Sequence, residues 1–157
     1  MIYDEKYQSG GRLLNKLNIR SREINLIFYT VLAAVTLGVF WQMSQFDFIN
    51  LDDPVYILKN HRIQSGLTLE SIRWAFSTTY AEFWHPLTWL SLMLDYQLFG
   101  LNAGGYHMTN LILHILSTLF LFWFLNRMTQ AVWKSAFVAA FFALHPLHVE
   151  SVAWIAE

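Results

Sequence analysis

Charge disappears from the chain between Ile24 and Phe46 (INLIFYTVLAAVTLGVFWQMSQF), a run of 23 residues where a helix needs about 20 to cross a bilayer core. The pattern predicts a membrane span over 24–46. It is an anchor and not a cleavable leader, because the apolar stretch exceeds about 15 residues and no small-x-small site follows it. A second charge-free stretch separates Asp95 from Arg127 and is densest from Leu111 to Leu125; with His107 to Asn110 added it predicts a span over 107–126. Ala136 to Leu144 is apolar for only nine residues. It makes a third span, 132–149, by drawing in Val132 and Trp133 on one side and HPLHV on the other. The intervening loop, 47–106, carries two shorter periodic segments. Thr68 suits the cap of a helix in which Leu69, Ile72 and Phe76 recur at helical spacing. Pro86 suits a first helical position, Leu87, Leu90, Leu94 and Leu98 follow at the same spacing, and Gly100 is a stop. With Asp95 inside it, this segment is too short to span and is expected at the interface. Leu101 to Gly105 is expected to turn the chain back into the membrane. The fold class is all-α: a polytopic membrane protein with about three transmembrane helices and two short interfacial helices in the first outer loop.

Charge supplies the orientation. Arg12, Lys16, Arg20 and Arg22 precede the first span, and Arg127 and Lys134 lie between the second and third. The loop has Lys59, Arg62 and Arg73 against Asp47, Asp52, Asp53, Glu70, Glu82 and Asp95. Cytoplasmic flanks carry the excess of Lys and Arg, so residues 1–23 are expected to form a cytoplasmic tail and loop 47–106 to face outward. Composition narrows the chemistry. Of 157 residues only 13% are charged and 55% are hydrophobic, against about a quarter charged in a soluble domain, which argues against a soluble enzyme. A net charge of -1 gives nucleic acid no field to follow. Without cysteine there are no disulfides, thiolate metal sites or thiol nucleophiles, so reactivity falls to oxygen and imidazole.

Three sets of such groups stand out. Asp52 and Asp53 are an adjacent acidic pair just beyond the first span; mutual repulsion raises one pKa and suits a general base or a cation site. An Asp-Asp-Pro turn, with the carboxylates on nearby amides, explains the same residues structurally. His107, Asn110, His114 and Thr118 fall within about 80° on a helix and form a polar stripe. For His114 this is best read as interhelical hydrogen bonding, whereas His107 and Asn110 lie nearer the outer surface, where lining a site is equally reasonable. At the outer end of the third span, His145, His148 and Glu150 form a cluster suited to a phosphate. Glu150 would lie about 140° from His145 on a regular helix, and no HExxH occurs, so a divalent metal site is disfavoured unless Pro146 breaks the helix, and no cofactor is assigned. Topology places all three sets at one outer surface, as catalysis on a lipid-linked substrate requires. The same residues also fit a non-catalytic membrane scaffold, or a transporter subunit whose His/Asn stripe lines a path.

The runs FINLDDPVY, FWHPLTWLSLMLDYQLFGLNAGGYHMTNLILHIL and FALHPLHVESVAWIAE together resemble the N-terminal part of the transmembrane and tetratricopeptide-repeat O-mannosyltransferase-like family, within the GT-C superfamily of membrane glycosyltransferases. The resemblance covers about Phe46 to Glu157. It implies that residues 24–157 are the first part of a larger GT-C membrane domain, followed by a basic residue, an Asp, further spans and often repeats. A three-span piece would not enclose a GT-C site and is expected to be inactive alone. The resemblance further implies transfer of a sugar, mannose, from a polyprenyl-phosphate donor to a hydroxyl of a protein acceptor outside the cytoplasm. On it, Asp52 and Asp53 match the acidic pair, one of them being the base. His145, His148 and Glu150 match a motif that holds donor phosphate or acceptor. His85 stands where animal members tend to carry arginine, a titratable group in place of a permanent cation.

Overall fold

The computed structural model describes residues 22–155; the expected tail 1–23 lies outside them but for its last two residues. The described residues form helices and turns without a strand. Helix α1, Arg22–Gln45, and helix α5, Ala103–Thr129, are each long and apolar enough to cross a membrane. They correspond to the spans expected over 24–46 and 107–126. Both leave large apolar side chains outward, Leu26, Ile27 and Val39 on one and Leu116, Phe120 and Trp123 on the other, as lipid or further helices would require.

The third expected span is not one helix. Helix α6, Val132–Leu144, has 13 residues and is about 20 Å long against a core of about 30 Å. His145 is extended, with φ -67° and ψ 130°, because the ring of Pro146 disfavours helical geometry in the residue before it. The chain turns there and resumes as the short helix α7, His148–Ala153. Two candidate spans are therefore seen where about three were expected.

Between α1 and α5 the loop folds as its punctuation predicts. After a turn at Pro54–Leu58 come helix α2, His61–Gln64, and helix α3, Leu69–Ser77, whose cap Thr68 accepts the Ser71 N–H at 3.1 Å. Helix α4, Pro86–Phe99, starts on its proline and ends at Gly100, where φ is +61°. Their shared core of Tyr56, Ile57, Ile63, Trp89, Leu92 and Met93 runs on into Tyr106 at the head of α5 and Ile155 at the end of the described chain. The loop is thus a packed cap on the end of the bundle where α1 closes and α5 begins. Below it, Leu32, Phe122, Ala136 and Ala139 join α1, α5 and α6, and Phe40, Met43, Leu111 and Val152 join α1, α5 and α7. Burying several such side chains at about 1.5–3 kcal/mol each holds the helices around α5.

The re-entry turn is shorter than expected. Leu101 and Asn102 suffice, and Gly104 and Gly105 already belong to α5. Their role is close approach: a Cβ on Gly104 would stand 2.5 Å from the Ser44 carbonyl oxygen, and one on Gly105 would collide with the Phe99 ring. Gly104→Ala is expected to destabilise by roughly 1–3 kcal/mol, as overpacking against a backbone that cannot yield does. Gly38→Ala in α1, where nothing lies within 4 Å of the added carbon, is expected to stabilise by about 0.5–1 kcal/mol. Thermal unfolding in detergent checks both, and equal effects would show that proximity is not what Gly104 provides.

Candidate functional site

The chain directs the two carboxylates of the acidic pair apart. Asp53 is fully buried, and its Oδ2 accepts the Ile49 N–H at 2.7 Å. Asp52 is exposed; its carbonyl closes the turn through the amides of Val55 and Tyr56, both at 2.9 Å. The structural reading of the Asp-Asp-Pro turn is therefore realised, in the Asp53 carboxylate that holds the Ile49 amide and in the Asp52 carbonyl that closes the turn. Asp53 lies close enough to His107 for its charge to act on that imidazole. His107 is itself 1% exposed and packs edge-on against Phe46, ring centroids 6.0 Å apart.

His107 opens onto a groove of about 530 Å³ bounded by Gln45, Phe46, Asp47 and Ile49 from the end of α1, and by Val149, Glu150, Ala153 and Trp154 from the α7 region. This carboxylate-lined groove unites one member from each of two predicted sets, His107 and Glu150, whereas the acidic pair does not line it. Asp47, counted from sequence only as loop charge, lines it as well. Its position immediately beyond α1 was the available signal.

The HPLHVE cluster does not converge. His145 closes a shallow, mostly apolar surface with Phe137, Phe141 and Pro146, and its Nδ1 accepts the Leu147 N–H at 3.2 Å. His148 lies between Phe142 at 4.5 Å and His114 at 6.0 Å, ring to ring. With Asn110, His114, Ser117 and Ser151 it lines a second, polar groove of about 310 Å³. Glu150 faces the first groove instead. On the one helix turn that carries all three, Glu150 necessarily points to a different side from His148 and Ser151. Among the described residues no three metal-ligating side chains gather.

The polar stripe of α5 turns inward as expected. His114 donates from Nε2 to the Ala143 carbonyl of α6 at 3.0 Å, which fixes its tautomer because a carbonyl oxygen only accepts. Asn110 donates to the Trp154 carbonyl at 3.0 Å, and Thr118 is fully buried. Ser117 and Ser151 were missed, although each stands three residues after a histidine of the stripe or cluster, a spacing that places them on the same helix face.

His85 lies apart from both grooves, ahead of α4 in an aromatic cluster. Its ring centroid is 4.6 Å from Trp89 and 5.6 Å from Tyr56. Burial holds this imidazole below its ordinary pKa, so it is neutral at pH 7 and does not supply the cation that arginine would. Burial, and secondarily the charge of Asp52, pushes the Tyr56 phenol up, so Asp52 belongs to this neighbourhood.

The chain is 32% identical over 139 residues to Protein O-mannosyl-transferase TMTC1 of Homo sapiens, covering 80% of this chain and 15% of that protein. It is 34% identical over 116 residues to the TMTC1 protein of Mus musculus, covering 66% and 12% respectively. Against Protein O-mannosyl-transferase TMTC3 of Homo sapiens the figures are 30% over 150 residues, 84% and 15%. The chain thus spans about 15% of the length of the curated relatives it matches. No family model and no solved structure matches it.

Proposed function

This chain is a homologue of the TMTC protein O-mannosyl-transferases and matches that family, and on that premise we propose that it forms part of an integral-membrane glycosyltransferase of GT-C type. Residues 24–157 would be the first part of the transferase's membrane domain, with α1 and α5 as its spans, a cytoplasmic tail at 1–23 and loop 47–106 outside the cytoplasm. The donor is a polyprenyl-phosphate sugar, mannose, and the acceptor a protein hydroxyl. Supporting the reading is one observation above others: an open groove lined by Asp47, His107 and Glu150, with the charge of the buried Asp53 carboxylate acting on the His107 imidazole.

In this reading Asp53 takes the proton of the acceptor hydroxyl, with His107 positioned beside it. The oxygen attacks the anomeric carbon, and the bond from that carbon to the phosphate oxygen breaks with its electrons passing to the phosphate. A water-poor site strengthens each of these electrostatic effects. Asn110 and His114 spend their polar groups on carbonyls, which weighs against a transporter path along the stripe.

The test is transfer by the full-length protein in membranes, offered labelled mannose either on a polyprenyl phosphate or on a nucleotide. Transfer from the lipid donor alone is the expected result, and transfer only from the nucleotide sugar rejects the reading. Orientation has its own test, which the lack of cysteine makes clean. Lys59→Cys is expected to react with an impermeant maleimide from the outer side, and Gln130→Cys only after the membrane is opened. The reverse pattern inverts the topology.

A further inference from the structure

Resting on the functional reading above, we propose that the carboxylate-lined groove selects a cationic acceptor, a protein segment whose hydroxyl is flanked by an arginine or a lysine. The groove carries one sign of charge. Asp47 lines it from just beyond α1 and Glu150 from α7, and no lysine or arginine does. Both carboxylates are exposed. Arg62 and Glu70 pair with each other in the loop, whereas among the described residues neither Asp47 nor Glu150 has a salt bridge. The buried Asp53 adds a further negative charge that acts on His107 at the same groove. Like charges gathered in a cleft with low-dielectric walls focus a negative potential, which concentrates cations there and turns anions away.

The walls decide which cation fits. Phe46, Ile49, Val149 and Trp154 make them largely apolar. A compact hydrated ion gains little from such surfaces, and among the described residues no three metal-ligating side chains gather. An arginine or lysine side chain uses both features, since its stem lies on apolar surface while its charged head reaches a carboxylate. The rings of Phe46 and Trp154 add faces that attract a cation. Arginine is favoured over lysine, because its planar fork matches a carboxylate in two bonds and stacks on a ring.

The groove also has room and polar groups for a peptide backbone. Its volume of about 530 Å³ lies in the range of about 300–1,000 Å³ common to binding sites. His107 borders it and is 1% exposed, and neither ring nitrogen completes a hydrogen bond of good geometry, although the Asp47 and Ala153 carbonyls lie close to it. Trp154 Nε1, which can only donate, is likewise buried without a partner. Such groups cost free energy until something meets them. A peptide brings both N–H and C=O groups, partners that a free cation lacks. Charge complementarity governs which partner docks and how fast. Its effect therefore falls on the acceptor KM and leaves kcat nearly unchanged.

Binding is tested on the full-length protein in phosphatidylcholine nanodiscs, titrated with short dye-labelled peptides and followed by fluorescence anisotropy. Each peptide has a central threonine among valines and differs only in one neighbouring residue: arginine, its uncharged isostere citrulline, or glutamate. The arginine peptide is expected to bind about tenfold tighter than the citrulline peptide, and the glutamate peptide more weakly still. These differences are expected to shrink as salt is added. In D47K/E150K the order is expected to reverse, with the glutamate peptide binding best. Both positions are exposed, so the variant retains its fold, which circular dichroism checks, and unfolding would not produce a reversal. Equal binding of the three peptides, or binding of none, would overturn the proposal. The parental order persisting in D47K/E150K would overturn the location. The two proposals fail separately. If the full-length protein transfers mannose from the lipid donor with one acceptor KM for all three peptides, the selectivity is wrong and the functional reading stands. If the peptides bind in the expected order and the arginine peptide receives no sugar, the cation-selective groove stands and the functional reading fails.

Discussion

On the proposed function, Asp53→Asn in the full-length protein is expected to lower the rate of sugar transfer by roughly 10²- to 10⁴-fold, the contribution of a positioned general base, while Asp52→Asn stays within about tenfold of the parent under the same comparison. The asymmetry comes from the turn. Asp53 is fully buried and oriented by the Ile49 amide at 2.7 Å, next to an imidazole that its charge reaches. Asp52 is exposed, and its side chain acts on Tyr56 in the loop's aromatic cluster. Asparagine at 53 still offers an oxygen to the Ile49 amide, so the turn persists and only proton acceptance is lost. Initial rates in membranes, normalised to protein inserted, decide the matter. Equal losses at both positions would mean that the pair works as a unit, and full activity of Asp53→Asn would remove it from catalysis.

The second large effect concerns pH and the docking of α4 on α5. Asp95 is 3% exposed, and its Oδ1 accepts the Thr109 hydroxyl at 2.6 Å across the two helices. Burial pushes its carboxyl up to about 6, against the opposing pull of that hydrogen bond. Tyr96 and Tyr106 are the other titratable groups nearby. A carboxyl with a folded pKa above its unfolded value of 3.8 binds its proton more tightly when folded. Its favourable contribution is therefore full below about pH 4 and is lost as pH rises through about 6. Discounted for the solvent that still reaches it, the loss is on the order of 2 kcal/mol. Thermal unfolding between pH 4 and pH 7 is expected to show the protein weakening as pH rises. Asp95→Asn, which keeps an acceptor for Thr109, is expected to flatten that slope and to be the more stable form at pH 7. An unchanged slope in the variant would exclude Asp95 as its source.

Features governed by local chemistry were legible from residues alone. The apolar runs that became α1 and α5, the Thr68 cap, the proline that opens α4 and the Gly100 that ends it each depend on neighbours within one or two turns. The break after α6 was legible in its cause, Pro146, but not in its consequence. Whether a nine-residue apolar core borrows its flanks to span depends on what those flanks pack against. Here His148 meets Phe142 and His114, and Val152 enters the core with Phe40 and Leu111. Gly104 and Gly105 were read as turn residues because glycine favours turns. Their service to the contacts of α5 with Ser44 and Phe99 is a tertiary fact, since the residues that need the space lie on other elements.

The sequence by itself determined the helical class, the capped segments of loop 47–106 and a short inventory of groups able to do chemistry, because hydrophobic period and charge spacing act along the chain. Only the tertiary structure decided which of those groups meet. It set Asp53 beside His107 and turned Asp52 away, divided Glu150 from His148, and brought Ser117 and Ser151 to one groove. Partners of this kind are chosen by packing around α5, where residues some 40 positions apart come into contact, as Asn110 and Trp154 do. Spacing along one segment says which side chains share a face, and the neighbouring helix says what that face meets.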